Sequence, residues 1–313
     1  MTVVSGGNAR ELLVDLVSTP SPSGEEGDVA SRLVEFFEEH DHGAWIDAAG
    51  NVRAPGSDEV LLTSHLDTVP GQIPVRTESI DGEPVLWGRG SVDATGSLAA
   101  MAVAAVRTGA SFVGVVREET DSHGARSLIA DREAPEAVIN GEPSGWDAIA
   151  LAYRGLLAGT YTATTEAVHG SRPEQNAIQR AIDWWSDVEA TVAEFGDAAP
   201  ADGGSEPPAG SPASVFESVT ATPLAIDGGR ADDGRSVEST VAFELRVPPS
   251  VEATTIREAI EAHVGAVDDD LPLTETVDWT ESIPPVAASP RTSVGRALRT
   301  AIRASSGRPE PVI

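Results

Sequence analysis

Residues Leu61–Gly71 read LLTSHLDTVPG. With the two residues before it, Glu59–Ser64 is a short apolar run bounded by turn residues. That pattern marks a strand buried on both faces. The run ends in His65, Asp67 follows two residues later, and Pro-Gly closes the segment. A lone histidine after a strand is usually structural. Asp67 shifts the balance, because a carboxylate there can accept the imidazole's second N–H, fix its tautomer and raise its basicity as a metal ligand.

Working outward, strand-like runs alternate with helical ones. Ala9–Val17 has helical spacing, and Pro20 and Pro22 break it. Ser23 reads as the N-cap of a second helix, with Glu25 and Glu26 in its first turn and Leu33, Val34, Phe36 and Phe37 on its buried face. Short strands are expected at Ala44–Ile46 and Asn51–Arg53, and a longer one at Val85–Gly90. Ser97–Arg107 is an Ala-rich helix stopped by Gly109. Ser111–Val116 and Ala137–Asn140 are strands, with a helix at Ala125–Ala130 between them. The alternation predicts an α/β fold, a mainly parallel sheet flanked by helices. In open α/β sheets ligands bind at the carboxyl ends of the strands. His65, Glu118–Glu119 and Glu142 each follow directly on such an end.

The texture changes near Tyr153. Leu156–Thr164 and Ser236–Val247 alternate like half-buried strands, and Ala177–Phe195 and Val251–Val264 are amphipathic helices. Asp197–Ser214 has no large apolar residue and reads as a surface loop. The expected partition is a catalytic domain of residues 1–155 and 284–313, with a smaller α+β lid or dimerisation domain, residues 156–283, inserted into it. The Ala-rich helix Thr292–Ser305 is assigned to the first.

Composition narrows the function. Fifty acids face 21 basic residues, all arginine, for a net charge of −29. Such a surface repels nucleic acid and anionic membrane. The acids are scattered along the chain, which fits a surface adapted to high salt rather than an acidic tail. With no cysteine, any metal must be held by histidine and carboxylate. There is no leader-like segment and no apolar run of about 18 residues, so a cytoplasmic location is expected.

The acidic residues each carry two readings. Asp93, in GRGSVDATG, is a helix N-cap, or a carboxylate in a tight turn that bridges two cations about 3.5–4 Å apart. The Gly88-Arg89-Gly90 start of a dinucleotide fingerprint lacks its third glycine. Glu118–Glu119 is a solvated loop, or one metal ligand beside one base that takes a proton from metal-bound water. Glu142, in NGEPSG, would complete a His/carboxylate shell suited to Zn²⁺ or Co²⁺. His169, in VHGSRPEQNA, is a surface histidine or an oxyanion donor brought in by closure.

Taken in order, SHLDTVPG, GRGSVDATG, EET, GEPSG and HGSRPEQNA resemble the M20 family of di-zinc aminoacylases and peptidases. SPSGEEG, HLDTVPGQIPVR, GEPSGWDAIALAYRG and ELRVPP are most similar to its hydrolases that release lysine or ornithine from an amino-group carrier protein. They resemble acetylornithine deacetylase and succinyl-diaminopimelate desuccinylase less. The resemblance implies that His65 and Glu142 bind one Zn²⁺ and Glu119 a second, with Asp93 bridging. Asp67 would orient His65, Glu118 would be the general base, and His169 would stabilise the tetrahedral oxyanion, often in the partner subunit of a homodimer. Arg246 falls in a matching stretch with no role assigned. The implied substrate is an acidic carrier whose terminal glutamate holds lysine or ornithine at its γ-carboxyl. The family pattern continues to a Gly-Thr-Ser-Asp segment and a final histidine ligand. This chain ends at GRPEPVI, and its last histidine, His263, does not match. A fragment is therefore expected. The alternatives are another aminoacylase, deacetylase or dipeptidase of the family, and a truncated, non-catalytic single-metal protein.

Overall fold

The computed structural model describes residues 4–167, 169, 174–196, 212–265 and 273–312. The chain forms two compact units, Met1–Trp146 and Asp147–Ile313.

The first unit runs α1 (Gly6–Ser18), α2 (Gly27–Glu39), β1 (Trp45–Ile46), β2 (Val52–Ala54), β3 (Ser57–His65), β4 (Arg76–Ile80), β5 (Glu83–Trp87), α3 (Thr95–Thr108), β6 (Ala110–Val115), α4 (His123–Asp131) and β7 (Val138–Asn140). Five strands pair in the order β1-β2-β6-β3-β7. β6, β3 and β7 are mutually parallel, while β2 runs antiparallel to β6 and β1 to β2. The register sets His65 opposite Val115 and Thr63 opposite Asn140, so three parallel strands finish at one edge.

Both faces of this sheet are covered, as the unbroken apolar run of β3 predicts. Leu62 and Phe112 face one core with Leu33, Phe37 and Leu98 from α2 and α3; Leu61, Val113 and Val115 face the other with Leu128 of α4. Each such fully buried side chain contributes about 1.5–3 kcal/mol. α1 starts at a capping box, with the Ser5 hydroxyl accepting from Asn8 N at 3.2 Å. α3 stops at Gly109, whose φ of +72° suits glycine. β4 and β5 form a hairpin of which the sequence reading caught only the second strand. Its first strand is exposed along its whole length and carries no buried apolar face to read.

The second unit contains β8 (Ala148–Ala150), β9 (Ala152–Tyr153), β10 (Gly155–Glu166), α5 (Ala177–Gly196), α6 (Pro212–Glu217), β11 (Thr220–Arg230), β12 (Ser236–Val247), α7 (Ala253–Glu261), β13 (Leu273–Ile283), β14 (Val286–Ala287), α8 (Ser293–Ala304) and β15 (Glu310–Val312). An antiparallel sheet, β11-β12-β10-β13, is packed by α5 and α7 around Tyr161, Trp184, Phe243 and Ile256. β14 pairs with β9, and β15 runs parallel to β8. β13 escaped the sequence reading because an inward position holds Glu275. That carboxylate is fully buried and accepts from Arg180 Nε at 2.8 Å, Tyr161 Oη at 2.5 Å and Gly265 N at 2.7 Å. Most of the expected Asp197–Ser214 loop lies outside the described residues; α6 takes its last three positions.

Candidate metal centre

The three parallel strand ends and the turn before α3 bring His65, Asp67, Asp93, Glu118, Glu119 and Glu142 into one neighbourhood. His65 closes β3 and is buried. Its Nδ1 is held at 2.9 Å by the carbonyl of Asp67, while the Asp67 carboxylate stands at 3.5 Å. The carbonyl is thus the hydrogen-bond partner, and the carboxylate acts by its charge. Nε2 is aimed at acids: Asp93 Oδ1 lies 3.0 Å away and Glu142 Oε2 3.9 Å. Donor atoms of His65, Asp93 and Glu119 all fall within 4.8 Å of one another.

Asp93 does not cap α3. The N-cap is Ala94, without a side-chain bond, and the Asp93–Ala94 peptide is cis. Its carboxylate turns to His65 instead. Glu142 follows β7 and accepts from Asn140 Nδ2 at 3.0 Å. Gly141 before it bonds Thr63 O through its N–H and receives the Ser64 hydroxyl on its carbonyl. A β-carbon at Gly141 would sit 2.9 Å from Ser97 Cβ, so this approach of β7 to α3 requires glycine.

The Glu118–Glu119 turn is fixed through its main chain. The amides of Glu118 and Glu119 donate to the two oxygens of Asp67 at 2.9 and 3.0 Å. The preceding amide, Arg117, donates to Glu26 Oε1 at 3.1 Å. Asn51 braces the strand just before, accepting from Val116 N and donating to Gly124 O. Ser23 is not the cap of α2. The N-cap is Glu26, and the Ser23 hydroxyl donates to Asp67 Oδ2 at 2.7 Å. Ser23, Glu26 and Asn51 are therefore site residues that the sequence reading missed. Ser23 and Glu26 lie in the SPSGEEG stretch that carries the family resemblance, but nothing local in it, or around Asn51, signals these contacts. His169 follows β10 in the second unit and is exposed; most of the turn it begins lies outside the described residues.

Electrostatics give the arrangement its meaning. Burial opposes charge on His65, yet Asp67, Asp93, Glu142 and Glu118 together carry its pKa to about 9. Burial also works against the Asp67 carboxylate, but the His65 imidazole beside it and hydrogen bonds from Ser23 and the two amides bring it down to about 2. Glu118, Glu119 and Glu142 are each pushed up, first by burial and then by neighbouring carboxylates, with His65 opposing. Glu118 is exposed by surface area, but the protein around its carboxylate still penalises the charge. A buried imidazole with one nitrogen fixed, facing acids that repel one another, is a donor set for a hard or borderline divalent cation.

Residues 61–312 match the family model described as peptidase family M20/M25/M40. The chain belongs to this family. Membership implies a divalent metal, and the donor set fits one. A Deinococcus radiodurans protein named LysW-lysine hydrolase is 35% identical over 96% of this chain and 80% of its own length. A Thermococcus kodakarensis protein provisionally named LysW-lysine/LysW-ornithine hydrolase is 40% identical over 201 residues, 63% of this chain and 56% of its own. The chain thus spans little more than half of that relative. A Staphylococcus aureus tripeptidase structure is 18% identical and shares the fold, with a TM-score of 0.73 over 99% of this chain and 85% of that one.

Proposed function

We propose that the chain is a metal-dependent amidohydrolase that releases lysine or ornithine from the terminal glutamate γ-carboxyl of an acidic amino-group carrier protein of the LysW kind. The observation that carries this is the 35% identity to the Deinococcus LysW-lysine hydrolase over 96% of this chain and 80% of that protein. In this reading His65, Asp93, Glu119 and Glu142 hold two zinc ions, with cobalt as a substitute. A bound cation supplies Lewis acidity and lowers the pKa of water to about 7. Glu118 takes the proton of the attacking water and returns it to the leaving α-amino group. Its raised pKa suits both tasks. Asp67 positions His65 and the Glu118–Glu119 turn, and His169 stabilises the oxyanion in the site of a second copy of this chain.

The inserted-domain partition, residues 1–155 with 284–313 around 156–283, belongs to the same reading; the β8–β15 and β9–β14 pairings join the C-terminal segment to residues 148–153, though both lie in the compact unit Asp147–Ile313. The same reading makes the protein a cytoplasmic homodimer of lysine or arginine biosynthesis, working in high salt that screens repulsion between two acidic partners. Among the described residues no helix is long and apolar enough to cross a membrane.

The test is hydrolysis of carrier-lysine, carrier-ornithine, N-acetylornithine and dipeptides by the cobalt-loaded protein. Carrier-linked substrates should exceed the others in kcat/KM. Preference for acetylornithine or dipeptides would overturn the substrate reading, and wild-type turnover by Glu118→Ala would overturn the base.

A further inference from the structure

Glu26 is almost completely buried, at 6% exposure, although it is an acid one residue before a helix. Among the described residues it has no cationic partner. Its Oε1 accepts instead from Gly24 N at 2.9 Å and Arg117 N at 3.1 Å. A buried carboxylate is costly unless hydrogen bonds compensate it. It gives α2 no side-chain cap. What it does is join two segments 91 residues apart.

Arg117 is also unusual. Its φ is +57°, in the left-handed region that non-glycine residues avoid. It stands one residue before Glu118 and two before Glu119. Three consecutive amides, Arg117, Glu118 and Glu119, thus end on two buried carboxylates, Glu26 and Asp67. Both carboxylates are tied to one short loop. Ser23 donates to Asp67, Thr68 N donates to Ser21 O at 2.9 Å, and Pro22 bridges to Thr68. The loop 21–26 therefore grips the His65–Thr68 segment with one end and the Arg117 turn with the other.

We infer that Glu26 is a positioning residue: from outside the metal shell it holds Arg117 in its left-handed conformation, and so sets where Glu118 and Glu119 project. The effect on metal and turnover rests on the proposed function; the tether itself does not.

The test uses the full chain, first without metal. Amide hydrogen exchange is followed at Arg117–Glu119 in wild type, Glu26→Ala, Glu26→Gln and, as control, the exposed neighbour variant Glu25→Ala. Glu26→Ala should speed exchange at Arg117 by about tenfold or more, with β12 in the second unit unaffected. Glu26→Gln keeps an oxygen that can accept both N–H groups and should stay near wild type, as should Glu25→Ala. Cobalt titration is the second readout: Glu26→Ala should weaken binding by about 10–100-fold, with Glu26→Gln rescuing it. Unchanged Arg117 exchange in Glu26→Ala, faster exchange spread through the whole chain, or a Gln variant no better than Ala would each overturn the inference. If Glu26→Ala does not fold, Glu26→Asp, one methylene shorter, must still speed Arg117 exchange. Failure of wild type to bind cobalt would sink the metal reading while the exchange data still decide the tether.

Discussion

Asp67→Asn probes the centre without opening a cavity. The carboxylate accepts from Ser23, Glu118 N and Glu119 N at 2.7, 2.9 and 3.0 Å, spread over both oxygens. An amide has one oxygen. Whichever way it turns, its NH₂ meets a backbone N–H that donated to the other oxygen, and a buried donor is left unpaired. That costs about 1–3 kcal/mol, and losing charge assistance on the remaining bonds adds about 1. The sum is about 3 kcal/mol, or on the order of 100-fold in the folding equilibrium. For a unit of this size, that lowers the melting temperature of the metal-free protein by roughly 6–12 °C. Cobalt affinity should fall by about 10–100-fold with it. Thermal unfolding and cobalt titration measure the two effects. A loss below about 1 kcal/mol with unchanged cobalt affinity would refute the view that Asp67 anchors the turn.

Four further outcomes follow from these and other contacts. His65, with a pKa raised from 6.5 to about 9, is protonated at neutral pH without metal. Cation binding should therefore release close to one proton at pH 7, and affinity should climb up to about pH 9, measured by calorimetry in buffers of differing ionisation enthalpy; pH-independent binding would contradict this. The same groups set opposite stability trends in the metal-free protein. His65's stabilising share is full below pH 6.5 and disappears as pH rises through about 9; Asp67's is full above pH 3.8 and disappears as pH falls through about 2. Denaturant titrations of His65→Gln and Asp67→Asn should flatten the respective arms. Glu275→Ala strands Arg180 and should destabilise the second unit by about 3–5 kcal/mol, leaving cobalt affinity intact. Gly141→Ala forces a β-carbon against Ser97 and Met101 and should cost about 1–3 kcal/mol and weaken cobalt binding, because the displaced residue precedes Glu142.

The legible parts of this protein were those with a period. β3, β6 and the Ala-rich α3 announce themselves by apolar runs and a terminal glycine, and the strand ends then point to His65, Glu118, Glu119 and Glu142. What stayed hidden depends on partners distant in sequence. Ser23 looks like a cap because serine before a helix usually is one. Only the fold shows its hydroxyl spent on a carboxylate 44 residues away. Glu26 looked like a first-turn acid for the same reason. In β13, the buried Glu275 broke an otherwise readable alternation, since no local pattern reveals that Arg180 will answer it.

At residues 118 and 119 the turn is mounted by its peptide groups, two N–H donors on the Asp67 carboxylate. Every amino acid except proline offers the same N–H, so the mounting does not ask which side chains it carries. Position and chemistry are in this way separable. A mutation can replace the reactive group while the spot from which it acts stays put. Descendants of such a chain can try a glutamine, a serine or a histidine at that spot without first rebuilding the scaffold. A site bolted down by its backbone is one that selection can re-equip.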